Sequence, residues 1–268
     1  MQRKINVSGT SQLGRRKTNE DVLTYTTNIK NPNQIDYFCI CDGHGGDSVS
    51  KFVTPILREK LTGKNISYPI SYHDIIIIFN EIDNLIKQSM HNDALYCGTT
   101  VLILIRYHNL GDDFVQVINL GDSRAIISKN NIAIPMTIDH KPSCPNETKR
   151  IQSVNKKNFL DTIPGNHHIA EYYGIARVCG LSVSRAFGDY ISIPQITHHP
   201  ETFVYKITKK NKYIIMASDG LWDSVSNQEA LNFTLNNGAN KDVALDLANY
   251  AINNGSCDNV SIIIIELN

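Results

Sequence analysis

Apolar positions along this chain switch between two spacings. Residues 35–41 form a run of β-forming apolar side chains that breaks at Asp42-Gly43-His44-Gly45-Gly46. A strand ending in a tight turn is expected there. Val49, Phe52, Val53, Ile56, Leu57 and Leu61 then recur at helical spacing. Ile75, Ile78, Phe79, Ile82, Leu85, Ile86 and Met90 repeat the pattern between His73 and His91. Two consecutive amphipathic helices follow from these spacings. Strands are expected over 22–27, 99–107, 114–119, 124–128, 203–207, 213–217 and 260–267, and helices over 227–235 and 241–252. The stretch 139–180 is polar, irregular and too long for a plain connection, so it reads as a flap or a small subdomain.

Strands come in groups and helices in pairs. That order predicts an α+β fold in which antiparallel β-sheets stack and helix pairs cover them. A doubly wound parallel sheet is the weaker alternative. Composition narrows the class without changing it. The 268 residues are 41% hydrophobic and 19% charged, which places them among folded chains rather than disordered ones. The 26 basic and 26 acidic residues cancel, so there is no basic footprint for nucleic acid. The six cysteines lack zinc or redox spacing, and most read as reduced, structural thiols. The longest apolar runs, such as 262–265, are too short for a bilayer, and the first residues lack the apolar stretch of a signal peptide. The expectation is one domain over 1–268, monomeric, cytoplasmic or nuclear, with no membrane or nucleic-acid partner.

The chemistry shows in where the acids fall. Glu20 and Asp21 open the segment 22–27, Asp42 closes 35–41, Asp219 follows 213–217, and Asp258 precedes 260–267. One Asp beside Gly is ordinary turn chemistry. Several acids at the ends of buried strands repel one another unless a cation neutralises them. Oxygen ligands without a Cys or His pair suit a hard ion, Mg²⁺ or Mn²⁺.

The residues around these acids carry a resemblance. Gly14-Arg15-Arg16-Lys17-Thr18-Asn19-Glu20-Asp21, Phe38-Cys39-Ile40-Cys41-Asp42-Gly43-His44-Gly45-Gly46 and Gly98-Thr99-Thr100 come first. Asn119-Leu120-Gly121-Asp122-Ser123-Arg124 and Asp139-His140-Lys141-Pro142 follow. Leu181 to Asp189, Ala217 to Asp223 and Asp258-Asn259-Val260-Ser261 complete the series. Eight motifs in this order resemble the metal-dependent Ser/Thr protein phosphatases of type 2C over roughly residues 8 to 267. The resemblance implies a sandwich of two antiparallel sheets with a helix pair on each outer face, and a flap at about 140–180.

The resemblance also implies roles. Asp42 would bridge two divalent ions, with Asp219 and Asp258 on the first and Glu20 and the Gly43 carbonyl on the second. Water between the ions would attack phosphorus directly, with no phosphoenzyme. Asp21 would orient water from behind the ligands. Arg16 would clamp the phosphate, and His44 would protonate the departing serine or threonine oxygen. Asp139, Asp219 and Asp223 resemble the acids of a third metal site. Asp122 reads as a turn residue, Asp189 as structural near the metal shell, and Trp222 as core packing. Most other histidines read as surface residues. Phosphorylated proteins are the implied substrates. No predicted ligand is replaced, which argues against the alternative, a catalytically weak pseudophosphatase that acts as a binding module.

Overall fold

The computed structural model of the protein describes residues 4–30, 34–157, 169–238 and 240–268. In chain order the first strands are β1 (Ile5–Gln12), β2 (Val22–Ile29), β3 (Ile35–Cys41), β4 (Gly43–His44) and β5 (Gly98–Thr99). Next come β6 (Val101–Asn109), β7 (Asp112–Leu120), β8 (Arg124–Lys129), β9 (Ile132–Pro135), β10 (Ala170–Tyr172) and β11 (Ile175–Arg177). The last are β12 (Phe187–Gly188), β13 (Glu201–Lys206), β14 (Tyr213–Ala217) and β15 (Val260–Leu267). The helices are α1 (Ser48–Thr62), α2 (Tyr72–Met90), α3 (Pro145–Lys157), the single turn α4 (Asp219–Trp222), α5 (Asn227–Asn237) and α6 (Val243–Asn253).

Two five-stranded sheets dominate. One runs β1-β15-β14-β8-β9 and the other β13-β7-β6-β3-β2. Every ladder in both is antiparallel, as the grouping of strands predicts and a doubly wound sheet does not.

The period of two along each strand builds three apolar layers. On β3, Ile35, Tyr37, Cys39 and Cys41 face α1 and α2, while Phe38 and Ile40 face the other sheet. β6 does the same, with Val101, Ile103, Ile105 and Tyr107 toward the helices and Leu102 and Leu104 inward. On β15, Val260, Ile262 and Ile264 pack with α5 and α6, and Ile263 and Ile265 fill the sandwich. Strands buried on both faces explain why these segments read as continuous apolar runs. The six cysteines are free, as their spacing predicts. Among the described residues, no helix is long and apolar enough to cross a membrane.

Several elements lack a sequence signal strong enough to be expected. β1 (INVSGTSQ) offers only Ile5 and Val7 to the sandwich and is otherwise small or polar; it lies at a sheet edge, where little apolar pattern is needed. The stretch 139–180 contains α3 and the β10–β11 hairpin. A small core of Ile151, Val178, Val183, Ala186 and Ile196 stands beneath them. Glu147 of α3 anchors that helix. It accepts from Arg185 Nε at 3.0 Å, Arg150 Nη2 at 2.9 Å and Ser184 Oγ at 2.8 Å. Burial would raise its carboxyl pKa, but the two arginines win and hold it at about 2. The flap residues Gly165, Asn166, His167 and His168 lie outside the described residues.

Candidate active site

The two sheets bring their acids to one end of the sandwich. Val22 pairs with Cys41, which puts Asp21 and Asp42 side by side at the edge of one sheet. Leu120 pairs with Val101, and Asp122 follows at the same end. In the other sheet Ala217 pairs with Ile262, so Asp219 after β14 and Asp258 before β15 share an edge. Carboxylate oxygens of Asp42, Asp122 and Asp219 lie within 4.8 Å of one another.

That crowding is electrostatically costly. Burial first, then the charges of Asp21 and Asp219, push the Asp42 carboxyl well above the carboxylate range. Burial and then Asp122 do the same to Asp219. Asp122 is raised to about 6 by burial, with Lys141 opposing. Asp122 Oδ2 is also a buried oxygen without a hydrogen-bond partner; its nearest cation is Lys141 Nζ at 3.6 Å. Three converging carboxylates, raised pKa values and an unbonded buried oxygen suit a hard divalent cation.

The neighbouring loop is held by glycines and one asparagine. A side chain on Gly43 would collide with the Glu20 carbonyl, and one on Gly14 with the Asp258 carbonyl. Asn259 donates to the carbonyls of Leu13 and Thr18 at 2.9 and 3.0 Å and accepts from Glu20 N at 2.9 Å. It therefore fixes the segment that carries Arg16 and Glu20. Its place in Asp258-Asn259-Val260-Ser261 is visible in the sequence, but its partners are distant in the chain.

A cleft of about 540 Å³ collects these groups. Arg16, Glu20, Asp42, Gly43, His44, Asp219 and Asp258 all line it. Asp122, Lys17 and Arg177 line it too, and sequence reasoning gave none of them a role there. Arg16 Nη2 lies 2.5 Å from Asp258 Oδ2, so the expected clamp rests on an expected ligand. Glu20 Oε2 accepts from Gly46 N at 3.1 Å. Asp21 is buried behind the cleft and accepts from Ser218 Oγ at 3.0 Å; burial raises its carboxyl to about 6.

The expected third-metal acids are only partly together. Asp219 is in the cluster. Asp139 is instead engaged by Arg124, Nε to Oδ1 at 3.0 Å and Nη2 to Oδ2 at 2.6 Å. Asp223 is largely exposed, with Lys141 Nζ at 3.3 Å. Asp122, read as a turn residue, takes the inward position. Its Gly121-Asp122 spacing looks like a turn, and only the sheet register shows where its carboxylate goes.

His44 Nε2 lies 2.7 Å from Asp189 Oδ2. Burial would lower the His44 pKa, but Asp189 outweighs it and raises the net value. His140 departs from the surface expectation. It is buried, and its Nδ1 accepts from Gly121 N at 3.0 Å, which locks the turn beside Asp122. Trp222 is buried as expected, donating to the Ala217 carbonyl at 3.0 Å.

A family model described as "Protein phosphatase 2C" matches residues 5–260. The chain belongs to the protein phosphatase 2C family. A "PP2C-like domain-containing protein R307" of Acanthamoeba polyphaga mimivirus is 41% identical over 171 residues, 56% of this chain and 93% of that protein. A "Probable protein phosphatase 2C 69" of Arabidopsis thaliana is 32% identical over 95% of this chain and 68% of its own length. Among solved structures, a C. elegans sex determining protein superposes with a TM-score of 0.82 at 23% identity. That likeness covers 98% of this chain and 65% of the other. A serine-threonine phosphatase 2C from Toxoplasma gondii gives 0.76 at 20% identity over 98% and 95%. At these identities the structures speak for the protein phosphatase 2C fold alone.

Proposed function

We propose that this protein hydrolyses phosphoserine and phosphothreonine in proteins by direct attack of water activated between two divalent cations, Mg²⁺ or Mn²⁺. The observation that carries the reading is the convergence of Asp42, Asp122 and Asp219 within 4.8 Å, at strand ends of both sheets. Asp42 would stand between the ions, Asp219 and Asp258 on one side, Glu20 and the Gly43 carbonyl on the other. Asp122, rather than Asp139, would join Asp219 at a third site, with the exposed Asp223 beside it.

This chain's own residues do the rest. Asp21, which accepts a hydrogen bond from Ser218, would orient water from behind Asp42. Arg16, a planar fork at the cleft mouth, would take two phosphoryl oxygens in place of Asp258. His44 would give a proton to the serine or threonine oxygen as it leaves. The cleft is lined mainly by polar atoms, which suits a charged phosphoryl group better than an apolar ligand.

The test is phosphate release from a phosphothreonine peptide and from p-nitrophenyl phosphate, titrated with Mg²⁺ and Mn²⁺. Turnover should require the metal on both. Turnover that survives thorough chelation would overturn the two-cation reading, and binding without turnover would support a binding module.

A further inference from the structure

His44 and Asp189 meet across a strand that has no side chain in the way. β4, β5 and β12 form a small sheet with β5 in the middle. Within it His44 pairs with Gly98 on one side, and Gly188 pairs with Gly98 on the other. The outer strands are two spacings apart, roughly 9.6 Å. A histidine from one side and an aspartate from the other can close that gap only by passing over the central residue. A Cβ on Gly98 would collide with both Asp189 Oδ2 and His44 Nε2. Gly98 therefore makes room for the 2.7 Å bond between them.

Asp189 is held on every side. Its backbone sits at φ 51°, a left-handed conformation that Asp and Asn tolerate better than most residues. Its N–H donates to the Cys97 carbonyl at 3.2 Å, and its own carbonyl accepts from Ser192 N at 2.7 Å. Phe187, two residues before, stacks on Phe79 of α2 with centroids 5.1 Å apart. Tyr190, the next residue, donates to Asp83 Oδ1 of α2 at 3.0 Å. The Asp189 side chain is 3% exposed, so its bond with His44 has little competition from water.

We propose that Asp189 is a positioning residue for His44, fixing the ring's orientation and tautomer so that Nδ1 serves the cleft. The proposal rests on the reading of His44 as proton donor. With Nε2–H donated to Asp189, the proton passed to the substrate comes from Nδ1 as the phosphorus–oxygen bond breaks. The neutral ring then keeps its other proton on Nε2, toward Asp189. This is the arrangement by which a carboxylate holds a catalytic imidazole in one tautomer.

The experiment uses Asp189→Asn, which is nearly isosteric and suits the left-handed backbone. It is compared with His44→Gln and with the double variant. Positioning predicts a kcat loss of about 10- to 100-fold on a phosphothreonine peptide, up to the lower end of what general-acid catalysis contributes. It predicts little loss on p-nitrophenyl phosphate, whose leaving group needs no proton, and an unchanged KM. The double variant should be no worse than His44→Gln alone. Gly98→Ala, which forces the pair apart, should show the same split between substrates. Equal losses on both substrates for Asp189→Asn, multiplying losses in the double variant, or weakened Mn²⁺ binding by calorimetry would each overturn the proposal. If His44→Gln splits the substrates and Asp189→Asn does not, the proposal falls and His44 keeps its role. If His44→Gln itself shows no split, both fall.

Discussion

Arg124 grips Asp139 through both carboxylate oxygens, at 3.0 and 2.6 Å, while its guanidinium lies 5.3 Å from the Trp222 ring centre. Both oxygens of Asp139 are thus engaged, and it is not among the three carboxylates that converge. Asp122 faces Asp42 and Asp219 instead. The two residues should therefore behave differently on substitution. Asp122→Asn should weaken Mn²⁺ binding and leave the fold intact. Asp139→Asn should leave Mn²⁺ binding near its original strength and cost about 1–3 kcal/mol of stability through the loosened Arg124. Calorimetric titration and urea unfolding separate them, and weaker Mn²⁺ binding from Asp139→Asn alone would reverse the assignment.

The acid cluster also predicts how the cation-free protein responds to pH. Asp122 titrates at about 6 in the fold, against an ordinary 3.8. Between those values the folded state keeps a proton that the unfolded chain has released. Its contribution to stability therefore falls as pH rises from about 4 to 6, then stays flat. In EDTA, Asp122→Asn should be increasingly more stable than the original protein over that window. The gap should reach the order of 3 kcal/mol above pH 6, from about two pH units at 1.36 kcal/mol each. A gap that does not vary with pH would contradict this electrostatic account.

Arg16 should act on phosphate rather than on the fold. Its side chain is 57% exposed, so losing its pair with Asp258 should barely change stability. Arg16→Ala should lower kcat/KM for a phosphopeptide about 10- to 100-fold, the equivalent of ~1.5–3 kcal/mol for hydrogen bonds to a charged group. Arg16→Lys should recover only part, because an ammonium cannot engage two oxygens as a fork does. Full recovery with lysine would reduce Arg16 to a general positive charge.

Much of this was legible in the sequence, for physical reasons. β3, β6, β14 and β15 are buried on both faces, so their apolar runs were unmistakable. The acids at their ends could be named at once, because a strand end is a fixed place in the chain. What the sequence hid depends on partners far away in it. Asp122 and Asp139 sit 17 residues apart in similar polar turns; the sheet register carries the first inward and Arg124 engages the second. The His44–Asp189 bond spans 145 positions and depends on the missing side chain at Gly98. β1 has only Ile5 and Val7 as an apolar signal, because an edge strand needs little of it. The helix α3 was hidden by a polar surface, its inward contacts being Ile151 and the charged Glu147 rather than an apolar stripe.

The most direct test of the central claim sets the original protein beside Asp42→Asn, both confirmed folded by circular dichroism. Phosphate release from a phosphothreonine peptide is measured at saturating Mn²⁺, and the number of bound ions by calorimetry. The account predicts at least two bound ions and metal-dependent turnover for the original protein. For Asp42→Asn it predicts loss of tight binding and of nearly all turnover. Turnover retained by Asp42→Asn would contradict it.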